Sequence, residues 1–465
     1  MERLSATDAS FLAGEKESSH MHVGAVMIFE GPPPDHEETL EHIESRLHLV
    51  PRYRQKLAVP RFEMGRPLWV DDPSFNLDYH VRHTALASPG GLEQLRVLTA
   101  RIFSQRLDRS KPLWECWFVQ GLEDDRFAII SKAHHALVDG ISGVDLATVL
   151  FDLSPVPPAR AHVPKWTPRR EPSQVELIAE GVKGLIRRPF ELGRGAVGAA
   201  LHPEHTARRV RNAAEGFGEV AWAGLNPAPE TPLNVPIGSH RRIVWVETEL
   251  EQFKTIKNSL GGSVNDVVLA VTSGALGHWL RTRGVRTEGL ELRAQVPVSI
   301  RSDDEHDRLG NRITVMRAPL PVYARDPIER LRIVRESMQG LKESKQALAA
   351  KMLVELEDFA PPTILSMAAR THWSTRLFNM IVTNVPGPQF PIYLLGRELL
   401  ELVPVAFLPD NYALTIAAMS YNGKLVFSLL GDYDAMPDID LVGEYMQESL
   451  QELLTAAGER ELQPQ

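Results

Sequence analysis

The sequence predicts a mixed α/β protein built twice over, and three observations predict it. At 465 residues the chain exceeds one ordinary hydrophobic core, so two domains are expected. Short apolar runs with strand character alternate with helically periodic segments before residue 154, and the alternation restarts after residue 239. Between them the composition turns to Pro, Gly, Ala and Arg. From Arg160 to Glu215 there are 11 Lys and Arg against 6 Asp and Glu, a local basic excess in a chain of net charge −9. The expected organisation is an N-terminal domain at 1–154, a Pro/Arg-rich linker with amphipathic helices at 155–239, and a C-terminal domain at 240–465.

The elements follow from periodicity and punctuation. Met21 to Glu30 reads as a strand, ended by the run Gly31-Pro32-Pro33-Pro34. Leucines and isoleucine at helical spacing place a helix at about 37–49, stopped by Pro51, and another at 92–107. Strands at 114–120 and 126–133 are joined by an acidic turn containing Asp124-Asp125, and a helix at about 142–151 follows. After the linker come a strand at 241–248, a helix at 264–283, strands at 292–298 and 313–320, and a long helix at 327–348. Strands at 380–384, 402–407, 412–420 and 425–432 precede a C-terminal helix at 440–456.

Bulk properties narrow the function. A hydrophobic content of 43% with 24% charged residues describes a packed globular protein. The net charge of −9 and a pI near 6.0 argue against nucleic acid as a partner. Cys116 is the single cysteine, so an internal disulfide is excluded, which suits a reducing compartment. Asp8, Glu15, Lys16 and Glu17 interrupt the N-terminus, which does not read as a secretory signal. No stretch approaches the roughly 20 apolar residues of a spanning helix. The richest, 402–418, is broken by Pro404, Pro409 and Asp410. The expectation is a cytoplasmic protein, either soluble or peripheral on the inner membrane or lipid droplets.

The chemistry concentrates at His134-His135-Ala136-Leu137-Val138-Asp139-Gly140, directly after the apolar run Phe127 to Ile130. An imidazole has an unperturbed pKa of about 6.5 and accepts a hydroxyl proton near neutral pH. His135, four residues before Asp139, is the candidate general base. His134 then points to the other face if the strand persists, as a structural neighbour. Asp139 and Gly140 form the tight turn that aims the ring. Asp139 either orients the imidazole as in a triad or makes an ion pair that holds the turn. Two other readings stand beside this one: a pair of core histidines, or a metal site. Adjacent histidines on a strand point apart and seldom share one ion, so no metal is expected.

Further landmarks run along the chain: Leu4-Ser5-Ala6-Thr7-Asp8-Ala9-Ser10-Phe11-Leu12, His20-Met21-His22-Val23-Gly24, Lys111-Pro112-Leu113-Trp114-Glu115, Ser263 to Ala270, Leu309-Gly310-Asn311-Arg312 and Asn384-Val385-Pro386-Gly387-Pro388. With the HHxxxDG heptad they resemble, in order, the bacterial wax ester synthase/diacylglycerol acyltransferase family. That family belongs to a wider group with chloramphenicol acetyltransferase and nonribosomal peptide condensation domains. The resemblance implies two chloramphenicol-acetyltransferase-like mixed-sheet domains with an active-site channel between them. It also implies transfer of a long-chain acyl group from acyl-CoA, as co-substrate and without a cofactor, to diacylglycerol or a fatty alcohol.

Each landmark has a physical reading. Pro112, Leu113 and Trp114 start the strand before the histidine strand, so Trp114 either walls a substrate channel or is a core tryptophan. Ser263 and Asp266 have the spacing of an N-terminal helix cap, and Asn265 at that helix start would donate a hydrogen bond toward the channel. Asn384 to Pro388 reads as a rigid turn after a strand, either a plain link between two strands or, as the resemblance implies, a segment near the domain interface. Val175 to Leu201 mixes Leu177, Ile178, Leu185 and Phe190 with Lys183, Arg187, Arg188 and Arg194, a pattern that suits contact with anionic lipid headgroups. The competing functions are a condensation-type enzyme using a carrier-bound acyl donor and a non-catalytic lipid-droplet-binding protein.

Overall fold

A computed structural model describes residues 2–61, 66–137, 151–157, 166–177, 179, 226–299, 313–343 and 374–461. The helix expected at 142–151, the Leu309 to Arg312 landmark, Asp139, Gly140 and most of the 155–239 linker lie outside the described residues.

The N-terminal half contributes β1 (Glu2–Arg3), α1 (Ala6–Gly14), β2 (His22–Phe29), α2 (His36–Arg46), β3 (Gln55–Ala58), β4 (Leu68–Asp71), α3 (Leu77–His80), β5 (Val81–Ala85), α4 (Leu92–Phe103), β6 (Trp114–Gln120) and β7 (Phe127–His134). The C-terminal half supplies β8 (Arg241–Glu249), β9 (Leu292–Ser299), β10 (Ile313–Leu320), β11 (Met380–Pro386), β12 (Tyr393–Leu394), β13 (Arg397–Val405), β14 (Leu414–Tyr421) and β15 (Lys424–Asp432). Its helices are Leu250–Leu260, Val264–Thr282, Pro327–Glu343 and Ile439–Glu461. Among the described residues, no helix is long and apolar enough to cross a membrane.

The strands form two six-stranded mixed sheets and one small three-stranded sheet. The first large sheet has the order β12-β13-β2-β7-β6-β5 and the second β10-β9-β11-β14-β15-β8. The two halves of the sequence are therefore not the two halves in space. Residues 393–405 belong to the expected C-terminal domain, yet β13 pairs antiparallel with β2 in the first sheet, Val403 opposite Val26 and Val405 opposite Gly24. The expected strand at 402–407 is the end of this longer one.

The crossing has a local cause. β11 runs parallel to β14 as far as Pro386, opposite Ser420, so the strand extends into the segment expected to be a turn. A Cβ on Gly387 would lie 2.2 Å from the Ser420 carbonyl oxygen, so only glycine fits there. Pro388 follows and has no N–H for a ladder. The chain then leaves the second sheet and enters the first.

Alternation along β7 sorts the packing. Phe127, Ile129 and Ala133 face an outer core with Trp114, Phe118 and Tyr53. Ala128 and Ile130 face an inner core that also holds Ile102 and Phe103 of α4, Trp245 of β8 and Val426 of β15. The inner core therefore lies between the two sheets, while the second sheet packs its other face on the C-terminal helices. His134 and Lys132 share the inner-face parity.

Gly24 marks the closest approach in this arrangement. A Cβ there would sit 1.8 Å from the Ser131 backbone oxygen of β7, a contact that only strand separation relieves. Gly24→Ala is expected to lower stability by about 1–3 kcal/mol, the range for overpacked sites. A urea titration checks this, and an unchanged midpoint would contradict the register described.

Candidate active site

The β2–β7 ladder aligns His22 with His134, and β7 ends there. The chain turns at once. The Leu137 N–H donates to the His134 carbonyl oxygen (2.8 Å), and the His135 N–H donates to the Met21 carbonyl oxygen (2.9 Å). Met21 itself is buried with φ of 51°, a left-handed conformation that is costly for a non-glycine residue. That strain sits beside the residue expected to act as base.

The His135 ring is held by aromatic side chains. Phe11 of α1 stacks on it with centroids 3.8 Å apart and planes 16° from parallel. Phe407, just after β13, meets it edge-on at 5.5 Å. Phe11, Met21, Phe407 and Ile381 of β11 form one buried cluster, and two of its members, Phe11 and Phe407, lie against this histidine. Its Nδ1 has no hydrogen-bond partner among the described residues. His135 is half-buried, with its Nδ1 shielded, and desolvation by the surrounding protein lowers the imidazole pKa to about 4, the neighbouring His134 adding to the effect. His135 is therefore a free base at neutral pH. Because Asp139 and Gly140 lie outside the described residues, the aromatic clamp is the visible cause of the ring's orientation.

His134 has a different, polar setting. Its Nδ1 accepts the Ala136 N–H at 3.0 Å, which requires that nitrogen to be unprotonated. The ring proton of the neutral form therefore sits on Nε2, which faces a Glu15 carboxylate oxygen at 3.6 Å. The Glu15 side chain is only 1% exposed and also accepts from Arg106 Nε at 3.2 Å and Arg109 Nε at 2.7 Å. Burial alone would raise the Glu15 pKa, but His134 and Arg109 outweigh it and bring the carboxyl to about 2. Burial lowers the His134 pKa against the opposing pull of Glu15. Next along the same face, Lys132 donates to the Ile102 (3.0 Å) and Gln105 (3.1 Å) carbonyl oxygens and pairs with Glu115 at 3.4 Å. These contacts tie β7 to the end of α4.

Of the other expected site residues, Leu113 touches the histidine pair through its backbone, its carbonyl oxygen accepting the His134 N–H at 3.0 Å. Pro112, Leu113 and Trp114 are buried in the outer core. The Trp114 indole donates to the Tyr53 carbonyl oxygen (2.9 Å) and stacks on His80, contacts of a core tryptophan. Asp266 accepts from the Ser263 N–H and hydroxyl, both at 2.8 Å, and caps the helix Val264–Thr282. Asn265 is half-buried in the first turn of that helix. Cys116 is fully buried, and burial raises its thiol pKa to about 12, which rules out an activated thiolate. The Ala136 and Leu137 amides are already committed to His134, so neither is free to stabilise an oxyanion.

Phe11, Glu15 and Phe407 were not singled out by sequence reasoning. A signal for the first two existed. Ser5 and Asp8 have cap spacing, and in the structure Ser5 Oγ accepts from the Asp8 N–H at 3.0 Å and starts α1. That start places Phe11 and Glu15 four residues apart on one side of the helix. Nothing local marks Phe407, because its partner is distant in sequence.

Comparison with known proteins agrees along nearly the whole chain. Residues 4–268 match the family model of the wax ester synthase/diacylglycerol acyltransferase catalytic domain, and residues 309–454 match the WS/DGAT C-terminal domain. A probable diacylglycerol O-acyltransferase of Mycobacterium tuberculosis is 32% identical over 466 residues, covering 99% of this chain and 98% of that protein. A second from the same organism is 31% identical over 467 residues, covering 98% and 100%. The solved wax ester synthase/diacylglycerol acyltransferase of Marinobacter aquaeolei superposes with a TM-score of 0.69 at 26% identity, over 98% of this chain and 100% of that one. A starter condensation domain of rhizomide synthetase shares the fold, with a TM-score of 0.59 at 12% identity, over 98% and 94%.

The clamp makes a direct spectroscopic forecast. In an NMR titration of the histidine rings, His135 is expected to titrate near pH 4. Removing the stacked ring in Phe11→Ala admits water, eases the desolvation and moves that titration up toward the ordinary value of about 6.5. A His135 midpoint near 6.5 in the unaltered protein would contradict the enclosed site.

Proposed function

The chain belongs to the wax ester synthase/diacylglycerol acyltransferase family, and from that premise we propose that it transfers a long-chain acyl group from acyl-CoA to diacylglycerol, with fatty alcohols as alternative acceptors. One observation carries the proposal: a neutral histidine, His135, is held between Phe11 and Phe407 at the end of β7. The names of the mycobacterial relatives support diacylglycerol as the main acceptor, and that of the Marinobacter enzyme supports the second activity.

In this mechanism His135 takes the hydroxyl proton as the acceptor oxygen attacks the thioester carbonyl. The tetrahedral intermediate collapses with cleavage of the carbon–sulfur bond, and the imidazolium returns the proton to the departing CoA thiolate. No acyl-enzyme forms, in keeping with the buried Cys116. Acyl-CoA acts as co-substrate. The proposal keeps for Asp139 and Gly140 the turn-forming role that the heptad suggests. Asn265 is the side chain proposed to donate toward the channel, beside the structural cap Asp266. Both substrates are poorly soluble, so contact with a membrane or lipid-droplet surface belongs to the proposal. The mixed basic and apolar sequence at 175–201 supports it.

Purified protein given palmitoyl-CoA with equal diacylglycerol and hexadecanol is expected to form mainly triacylglycerol, read by mass spectrometry. Wax ester as the main product would reassign the acceptor, and transfer only from a carrier-bound donor would replace the CoA reading. His135→Ala is expected to abolish transfer, and an unchanged rate would end the catalytic assignment. The pH dependence has a definite sign. A base with a lowered pKa stays active down to that pKa, so kcat/KM holds through pH 6.5 and falls as the pH drops through about 4.

A further inference from the structure

Adjacent to the base lies a group that the acyl-transfer mechanism does not use. The Glu15 carboxylate ends α1, is enclosed, and faces the His134 Nε2. A surface role for this acidic residue is excluded by its burial, and a simple Arg pair leaves the histidine contact unexplained.

The tautomer of His134 supplies the explanation. Its Nδ1 must stay bare to accept the Ala136 N–H, and that bond shapes the turn from which His135 projects. In an apolar setting a neutral imidazole has two tautomers of similar energy, and the partner of one nitrogen decides which forms. A fixed negative charge opposite Nε2 holds the proton there. We propose that Glu15 is a positioning residue: acting through His134, it fixes the tautomer that locks the His134–Leu137 turn and so sets the aim of His135. This rests on the acyl-transfer reading for its kinetic consequence but not for its structural one.

The surroundings fit that task. Arg106 and Arg109, both half-exposed, hold the carboxylate, Arg109 on the same Oε2 that faces His134, and Arg109 also donates to the Leu12 carbonyl oxygen at 3.1 Å. Glu15 thus cannot swing toward solvent without releasing α1. The next residues anchor to the other half of the fold. Lys16 pairs with Asp410, Ser19 Oγ donates to the Leu408 carbonyl oxygen at 2.9 Å, and Arg241 donates to the Ser18 carbonyl oxygen. The 407–410 segment held this way carries Phe407, the edge-on wall of the clamp. One short stretch therefore fixes both the histidine turn and part of its enclosure.

The test is a double-mutant cycle on the full chain with palmitoyl-CoA and diacylglycerol. Glu15→Gln is expected to lower kcat roughly tenfold to a hundredfold, the cost of a small misplacement of a reacting group, while KM for palmitoyl-CoA stays within about twofold. His134→Asn should lower kcat similarly, and adding Glu15→Gln to it should lower kcat no further, because a group acting through His134 has nothing left to act on. Additive losses, an effect confined to KM, or an unchanged kcat would each overturn the proposal. If Glu15→Gln does not fold, Glu15→Asp goes through the same cycle; it keeps the charge near the arginines but withdraws it from His134 by about one bond, ~1.5 Å.

A second readout is independent of activity. In protein carrying 15N-histidine, the signal lost on His134→Asn should show an unprotonated Nδ1 in the unaltered chain and a tautomer mixture in Glu15→Gln. A protonated Nδ1 in the unaltered chain would refute the brace. If instead His135→Ala keeps full activity, the acyl-transfer reading falls while the tautomer result still decides the role of Glu15.

Discussion

Two side chains four residues apart, one on a short helix and one at its C-terminal cap, hold two neighbouring histidines. Phe11 lies against His135 and Glu15 against His134. Neighbouring residues at a strand end cannot share one environment, because the backbone sends them in different directions. Here the difference is put to use: one ring receives an apolar face and the other a carboxylate. The helix can do both because positions i and i+4 point the same way along its side. Everything else at the site, from the strained Met21 to the pinned 407–410 segment, depends on α1 being docked against the end of β7.

That docking explains why the fold is not two independent domains. Strand β13 carries the chain from the second sheet into the first, and the Phe407 segment follows it directly. A hinge placed at the linker would leave β13 bound to β2. The inner core reinforces this, since α4 packs between side chains of both sheets. Buried ion pairs such as Arg241–Asp432 and Lys132–Glu115 add little net stability once desolvation is counted. Their effect is on where things sit: an ion with one satisfactory set of partners tolerates one arrangement of the segments that supply them.

Much of this was legible in the sequence, and the reasons for the rest are physical. Strands β6, β7, β8, β10 and β15 carry plain apolar runs between turn signals, so their positions follow from local pattern. The HHxxxDG heptad and its companion landmarks singled out His135 as the candidate base. Pairing order was not legible, because which strand β13 joins is decided by contacts across hundreds of residues. The same limit hid Phe407. Glu15 was visible as an acidic residue near the N-terminus, but whether a carboxylate is solvated or enclosed depends on what folds over it. Trp114 and Asp266 both make structural contacts, an indole bonded within the core and one carboxylate oxygen in a helix cap, while Asp266 Oδ1 has no partner among the described residues.

The clamp raises a question about base strength, and the answer connects packing to chemistry. A general base works best with a pKa near the working pH, yet burial between Phe11 and Phe407 takes His135 well below that. The low value describes a ring with no negative charge beside it. Desolvation penalises the imidazolium only until an anion develops in the same dry space, where opposite charges attract far more strongly than in water. The attacking oxygen and the thioester carbonyl supply that charge. An enclosed histidine is thus a poor base for protons from bulk water and an adequate one for an acceptor hydroxyl placed against it. The faces of Phe11 and Phe407 also limit the room beside the ring for water, the nucleophile that competes with the acceptor for the thioester.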